Sequence, residues 1–290
     1  MMNAAKTHSN QSCAYCGNAS NPLTREHLWP ISLSRRFNED ATNPHFFLER
    51  SPQNFLIGEP TVKDVCCVCN NGELSQLDVY ACELYDRFWC KKIERGQVIK
   101  FDYDYDRLIR WLLKISFNSA RIHDSDPGIL NYYSKYMIGR FRAPRNMRLF
   151  LQLISPAIVN AEGEALTKGE VKAGTKFYPD RLREGHTALS NYELKSAVGR
   201  SVIINAFAFS IFVYDRNAPE TNMRRLEVAF AEASPSATLV KDDGQTVYVA
   251  ANGLDANEAL YWHYAIHKDA YGEPFRAFEE KHLNRNPPRI

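Results

Sequence analysis

Every cysteine of this chain lies in its first third. They are Cys13, Cys16, Cys66, Cys67, Cys69, Cys82 and Cys90, and the 200 residues that follow hold none. An odd total of seven argues against a secreted disulfide framework, in which cysteines pair off. Two spacings are Cys-x-x-Cys, at 13/16 and 66/69, and in a reducing compartment such pairs read as metal knuckles. Each knuckle turns tightly enough to aim two sulfurs at one ion, and four thiolates are one of the ligand sets of a tetrahedral structural Zn²⁺. Cys67 offers a competing register with Cys69, but Cys66 with Cys69 matches the usual spacing. Cys67, Cys82 and Cys90 are expected as small buried hydrophobes.

The remaining composition excludes several classes. With 290 residues, 44% hydrophobic, 24% charged and 12% aromatic, the chain is neither mainly disordered nor collagen-like nor a coiled coil. Its length suits about two domains. A formal charge of only +2 means that a nucleic acid would be met by a local basic patch rather than by the whole surface. The opening residues Met1 to Asn10 lack the apolar core of a secretory signal. The most apolar run, Ser201 to Tyr214, is interrupted by Asn205 and Ser210 and falls short of the roughly 18 to 20 residues of a membrane span. The expectation is a cytoplasmic protein that does not engage a membrane.

The pattern of the chain changes near Gln97. Residues 11–96 are rich in Cys, Asn and Pro, with short apolar pieces (Leu28 to Leu33, Phe46 to Leu48, Phe55 to Ile57) that suggest strands and loops rather than helix. Leu74, Leu77, Ala81, Leu84 and Phe88 then step by three and four and predict a helix over 72–94. A second helix is expected from Asp104, a cap, to Ile122, and a short one over 128–137. Strands are expected at 147–154, 201–214 and 226–230. Ala237 to Val240 and Thr246 to Ala250 flank a loop containing Asp243-Gly244 and predict a hairpin. Asp255 and Glu258 suit the opening of a helix to about Ala270, followed by one over 273–282. The fold class is α+β, with a zinc-stabilised unit at 11–96 and a mixed α+β domain at 97–290.

The segment between the knuckles carries Arg25-Glu26-His27-Leu28-Trp29-Pro30, and the second knuckle continues into Asn70-Asn71-Gly72. The order of knuckle, Glu-His-x-x-Pro, knuckle and Asn resembles the HNH, or ββα-metal (His-Me finger), endonucleases. It is most similar to the branch in which two knuckles hold a zinc beside the catalytic hairpin, as in phage recombination endonuclease VII. The resemblance covers about Cys13 to Asp78. It implies that His27 is the general base and that Glu26 and Asn70 hold a catalytic Mg²⁺ or Mn²⁺, separate from the zinc. The chemistry agrees. A neutral imidazole accepts a proton from water near pH 7, and carboxylate and amide oxygens are hard ligands that leave room for phosphate and water. The family also has a middle Asn that orients the base; Asn54 is the best match, although it lies further from the second knuckle than the family pattern places it. The acidic position is Glu where Asp is more frequent.

Adjacent residues of a regular strand point to opposite faces, so Glu26 and His27 share a site only where the strand ends, twists or bulges. Pro30 suits a nearby strand end. Arg35 and Arg36, with Arg142 and Arg145 further on, are candidates for gripping phosphates, as are Lys91, Lys92, Arg95, Arg140 and Arg148. His263 and His267 stand four apart without an acidic partner, and Asp102, Asp104 and Asp106 lack the glycine and terminal Glu of a calcium loop. The expected partner is DNA, with RNA or branched DNA left open, as is a homodimer that would cut both strands. HNH units of this kind keep company with phage defence, which extends the expectation to an antiviral role. Two other classes compete: a zinc module that binds nucleic acid without cutting it, and an interaction or ligand-sensing protein whose function resides in 97–290.

Overall fold

The computed structural model describes residues 12–37, 46–50, 53–57, 60–122, 128–142, 144–155, 157–160, 165–166, 177–180, 182–187, 197–215 and 217–255. In 46–50, 53–57, 157–160, 165–166, 177–180, 186–187 and 255 it describes the backbone alone. The architecture is α+β. Strand β1 (Leu23–His27) leads through helix α1 (Ile31–Phe37) and the hairpin β2 (Phe46–Arg50)/β3 (Gln53–Ile57) to β4 (Thr61–Cys66). β4 returns antiparallel to β1, with Leu23 opposite Cys66 and His27 opposite Thr61. The expectation of strands and loops here holds except at α1, where Leu33 and Phe37 step by four and are buried.

From β4 the chain passes directly into helix. α2 (Cys67–Cys69) continues through a π-helical turn (Asn70–Leu74) into α3 (Ser75–Leu84) and a second π turn (Tyr85–Trp89). The expected stripe is the buried one: Leu74, Leu77, Ala81, Leu84 and Phe88 all face the core. Helix therefore begins five residues before Gly72 and stops at Trp89, which leaves Lys91, Lys92 and Arg95 beyond its end. Gly72, with φ −96° and ψ −113°, marks the kink that sequence periodicity does not register.

Strand β5 (Val98–Asp102) precedes α4 (Tyr105–Ile122), and Asp104 caps α4 by accepting from the backbone N–H of Arg107 at 3.1 Å. Leu108, Leu112, Ile115 and Ser119, which repeat at helical spacing, are buried, but so is every residue from Leu108 to Arg121. The reason is position: α4 packs on α3 and β4 on one side and on the large sheet on the other. A 3₁₀ turn (Gly128–Tyr133) and α5 (Ser134–Met137) occupy the segment expected as one short helix.

The large sheet uses β6 (Met147–Ser155), β10 (Leu182–Thr187), β11 (Ala197–Ile204), β12 (Phe207–Tyr214), β13 (Thr238–Val240) and β14 (Thr246–Asp255), in the order β10-β11-β12-β6-β14-β5, with β13 also on β6. A separate three-stranded sheet joins β7 (Ala157–Asn160), β8 (Ala165–Leu166) and β9 (Phe177–Asp180). The apolar run 201–214 is two strands, not one, because Asn205 turns the chain at φ 51°, a left-handed conformation that Asn tolerates. Residues 226–230 are not a strand but part of helix α6 (Glu220–Ala233): Met223, Leu226, Phe230 and Ala233 are its buried face, a period of three to four. The strands flanking Asp243-Gly244 form, yet they do not pair with each other. β13 lies antiparallel on β6 and β14 pairs with β5 and β6. Asp255 ends β14, and the two last helices expected, with His263 and His267, lie outside the described residues.

One hydrophobic cluster runs from Cys13 to Ala251, across the expected boundary at 96/97. Its centre is aromatic: Trp111 of α4 lies 5.6 Å from Trp89 and 6.2 Å from Trp29, and Trp89 lies 6.2 Å from Phe209 of β12. No helix among the described residues is long and apolar enough to cross a membrane.

Candidate metal centre and the hairpin it closes

The β1/β4 pair ends, at Leu23 and Cys66, in the four expected cysteines. The sulfurs of Cys13, Cys16, Cys66 and Cys69 all lie within 4.8 Å of one another. Cys16 Sγ and Cys66 Sγ are 3.8 Å apart, which is about the edge of a tetrahedron whose Zn–S bonds are roughly 2.3 Å. The first knuckle closes because Gly17, at φ +74°, returns its N–H to the carbonyl of Cys13 at 2.8 Å. The backbone N–H of Cys66 donates to Cys13 Sγ at 3.3 Å, tying the two knuckles together. Burial pushes the Cys13 and Cys69 thiols up, and for Cys69 the neighbouring sulfurs add to the rise. Burial acts on Cys66 in the same sense but is outweighed by hydrogen bonds from Cys69, Cys13 and Cys16, which hold it below the ordinary thiol value. Four thiolates this close repel unless a cation lies among them, so the donor set fits a metal such as zinc. Among the described residues this is the one His, Cys, Asp or Glu group of three or more with that spacing.

Cys67 is half-buried and stays out of the cluster, which settles the knuckle register on Cys66. Cys82 is buried as expected and donates to Ser32 Oγ at 3.3 Å. Cys90 is exposed rather than buried, because the helix ends at its neighbour Trp89.

The opposite end of the hairpin carries Glu26 and His27. The register shifts between Thr24 and Glu26, so that Lys63 and Asp64 together oppose Arg25. β1 stops at His27. Arg25 is exposed, Glu26 is 4% exposed and His27 is half-buried. The imidazole of His27 makes no hydrogen bond or ion pair with the described residues. Asn70, in the first turn after the second knuckle, donates through Nδ2 to Thr24 Oγ1 and to the carbonyl of Arg25, both at 2.9 Å. A carbonyl only accepts, so the amide cannot be turned over, and Oδ1 takes no hydrogen bond from the described residues. Asn54 sits on β3 opposite Glu49, and its side chain lies outside the described residues.

Glu26 does not stand alone. Its Oε1 lies 2.8 Å from Lys114 Nζ and accepts from Asn118 Nδ2 at 3.2 Å, while Oε2 takes no hydrogen bond from the described residues. Lys114, 1% exposed, reaches Asp78 at 2.6 and 2.7 Å as well, and Trp111 Nε1 donates to Asp78 at 3.2 Å. Burial works against the charge on Lys114, but the two carboxylates outweigh it and raise its pKa. Asp78 is pushed up by burial, with Lys114 pulling the other way. Lys114 and Asn118 belong to α4, far from the knuckles in sequence. Their signal is a polar series, Lys114, Asn118 and Arg121, at helical spacing on a helix otherwise built for the interior.

The basic candidates divide. Arg35, Arg142 and Arg145 are exposed. Arg36 is held by both oxygens of Asp86 at 2.9 and 3.1 Å. Arg148 is held by Glu220 and Glu227. Lys91 rests over the Phe88 ring at 5.7 Å. Asp102, Asp104 and Asp106 serve separate partners: Thr246, the α4 cap, and Arg110 with Tyr136. No family model, no characterised protein and no solved structure matches this chain.

Proposed function

We propose that this protein is a divalent-metal-dependent endonuclease of the HNH type, which hydrolyses phosphodiester bonds in DNA and is held together by a structural zinc on Cys13, Cys16, Cys66 and Cys69. One observation carries this reading. Among the described residues the His27 ring, Glu26 Oε2 and Asn70 Oδ1 take no hydrogen bond, and they belong to one strand end and to the helical turn bonded to that strand. These are a base and two hard oxygen donors, the set that phosphodiester hydrolysis calls for. Glu26 and Asn70 would hold Mg²⁺ or Mn²⁺, and that ion would neutralise charge gathering on the phosphate. His27 takes the proton of the attacking water. Exposed Arg35, Arg142 and Arg145 offer phosphate contacts, which makes binding salt-sensitive.

The test is a panel of supercoiled, linear, single-stranded and branched DNA and RNA, incubated with the full chain and Mg²⁺ or Mn²⁺. His27→Ala should lower cleavage by about 10²- to 10⁴-fold while zinc content and circular dichroism stay as in the wild type. Equal cleavage by the variant rejects the base. A second reading is favoured by a specific contact: the Lys114 ammonium already neutralises Glu26, as suits a zinc module that binds nucleic acid without cutting it. Tight binding with no cleavage across metals and substrates would decide for that alternative.

A further inference from the structure

Asn118 is fully buried, and all of its hydrogen-bonding capacity is used. Nδ2 donates to Glu26 Oε1 at 3.2 Å and to the backbone carbonyl of His27 at 2.9 Å. Oδ1 accepts from the hydroxyl of Tyr15 and from Arg121, both at 2.6 Å. Arg121 only donates, while the Glu26 carboxylate and the His27 carbonyl only accept, so a single orientation of the amide satisfies all four partners. Lys114 Nζ fastens the same Oε1 at 2.8 Å and is itself fastened to Asp78. Packing alone does not call for this arrangement, because leucine or methionine would fill the same space without the cost of burying an amide and an ammonium. The two clamps act on consecutive residues of one dipeptide and fix both the carboxylate of Glu26 and the peptide plane after His27.

We propose that Asn118, seconded by Lys114, is a positioning residue for the Glu26–His27 pair, so that a helix outside the zinc hairpin completes the site. The proposal rests on the reading above, in which Glu26 and Asn70 hold a divalent ion and His27 is the base; the clamp geometry supplies what orients them. Groups that orient a metal ligand through hydrogen bonds commonly change affinity or activity by about 10- to 100-fold when removed.

The experiment uses the full chain, zinc-loaded, as wild type, Asn118→Leu and Tyr15→Phe. Cleavage is measured against nucleic-acid and Mn²⁺ concentration, and Mn²⁺ binding is measured separately by electron paramagnetic resonance. For Asn118→Leu the expected result is a kcat about 10- to 100-fold lower, a KM for nucleic acid within about twofold of wild type, and an Mn²⁺ dissociation constant raised about tenfold or more. Tyr15→Phe removes one hydroxyl from Asn118 and keeps the packing, and it should show the same pattern at a few-fold. A folded Asn118→Leu with wild-type kcat and Mn²⁺ affinity overturns the inference. So does a wild-type-like Tyr15→Phe if Asn118→Leu does not fold. A wild type that cuts nothing defeats the nuclease reading instead, and the inference then stands or falls on whether Mn²⁺ affinity drops in the variants; equal affinity, or no Mn²⁺ binding by wild type, ends it.

Discussion

The two ends of the β1/β4 pair gather negative charge in two different ways. At Leu23/Cys66 the sulfurs of four cysteines lie within 4.8 Å of one another, a donor set that fits a metal such as zinc. At Glu26/Val62 the carboxylate turns inward and meets an ammonium that the chain itself supplies, Lys114 at 2.8 Å, which Asp78 shares. One end offers a site for an imported cation and the other grows its cation on a helix. With a metal bound, the first arrangement would make the strand pair depend on the metal supply; the second makes it depend on α4 being docked, and so on the rest of the fold.

The largest effect should come from the sulfur end. Stripping the metal with a chelator, or Cys69→Ser, is expected to remove on the order of 10 kcal/mol of binding energy that is also folding energy. Circular dichroism should show helix lost, and metal analysis of the native chain should return one zinc per molecule. A metal-free chain with an unchanged melting curve would abolish the contrast between the two ends.

The carboxylate end should come second. Lys114→Met strands two carboxylates without their common partner, and breaking a buried pair in this way costs about 3–5 kcal/mol, to be read from denaturant unfolding. Adding Asp78→Asn and Glu26→Gln removes the stranded charges and should recover most of the loss, since it is the unpaired ion that is expensive. If the triple variant stays as weak as Lys114→Met, Lys114 contributes by packing its stem and not by its charge.

The same contrast explains what could be read from sequence. The four-cysteine cluster announces itself because its chemistry is local: two residues at fixed spacing make a knuckle, and two knuckles make a candidate metal site. The apolar stripe from Leu74 to Phe88 and the cap at Asp104 are legible for the same reason, since their periods and turns are short-range. Lys114 and Asn118 are not, because a lysine on a helix is ordinarily a solvated charge and only the tertiary packing of α4 between hairpin and sheet takes it out of water. Residues 226–230 of α6 read as a strand because five apolar-rich residues carry too little period to separate the two structures; Met223 and Ala233, a turn to either side, settle it. The strands around Asp243-Gly244 were found but mispaired, because the local turn signal competes with β6, which offers both strands a partner inside the sheet.

The smallest effect sharpens the comparison from a third place on the same unit, the surface. Arg36 and Asp86 form a two-point ion pair with side chains 36% and 57% exposed. The hydrogen bond from Arg36 holds the Asp86 carboxyl below its usual range. A carboxyl whose folded value is depressed adds stability above its unfolded pKa of about 3.9 and loses that stability as the pH falls through the lower folded value. Solvent screening keeps the contribution under about 1 kcal/mol. On acidification the thiolates meet proton competition for their metal before this window is reached, because each ligand must stay deprotonated to hold zinc. Acid unfolding should therefore track zinc release, and Asp86→Asn should leave the acid midpoint where it was while lowering neutral-pH stability slightly, an effect that high salt erases. An acid midpoint that moves with Asp86 would mean that the surface pair, and not the sulfur end, sets the limit of this fold in acid.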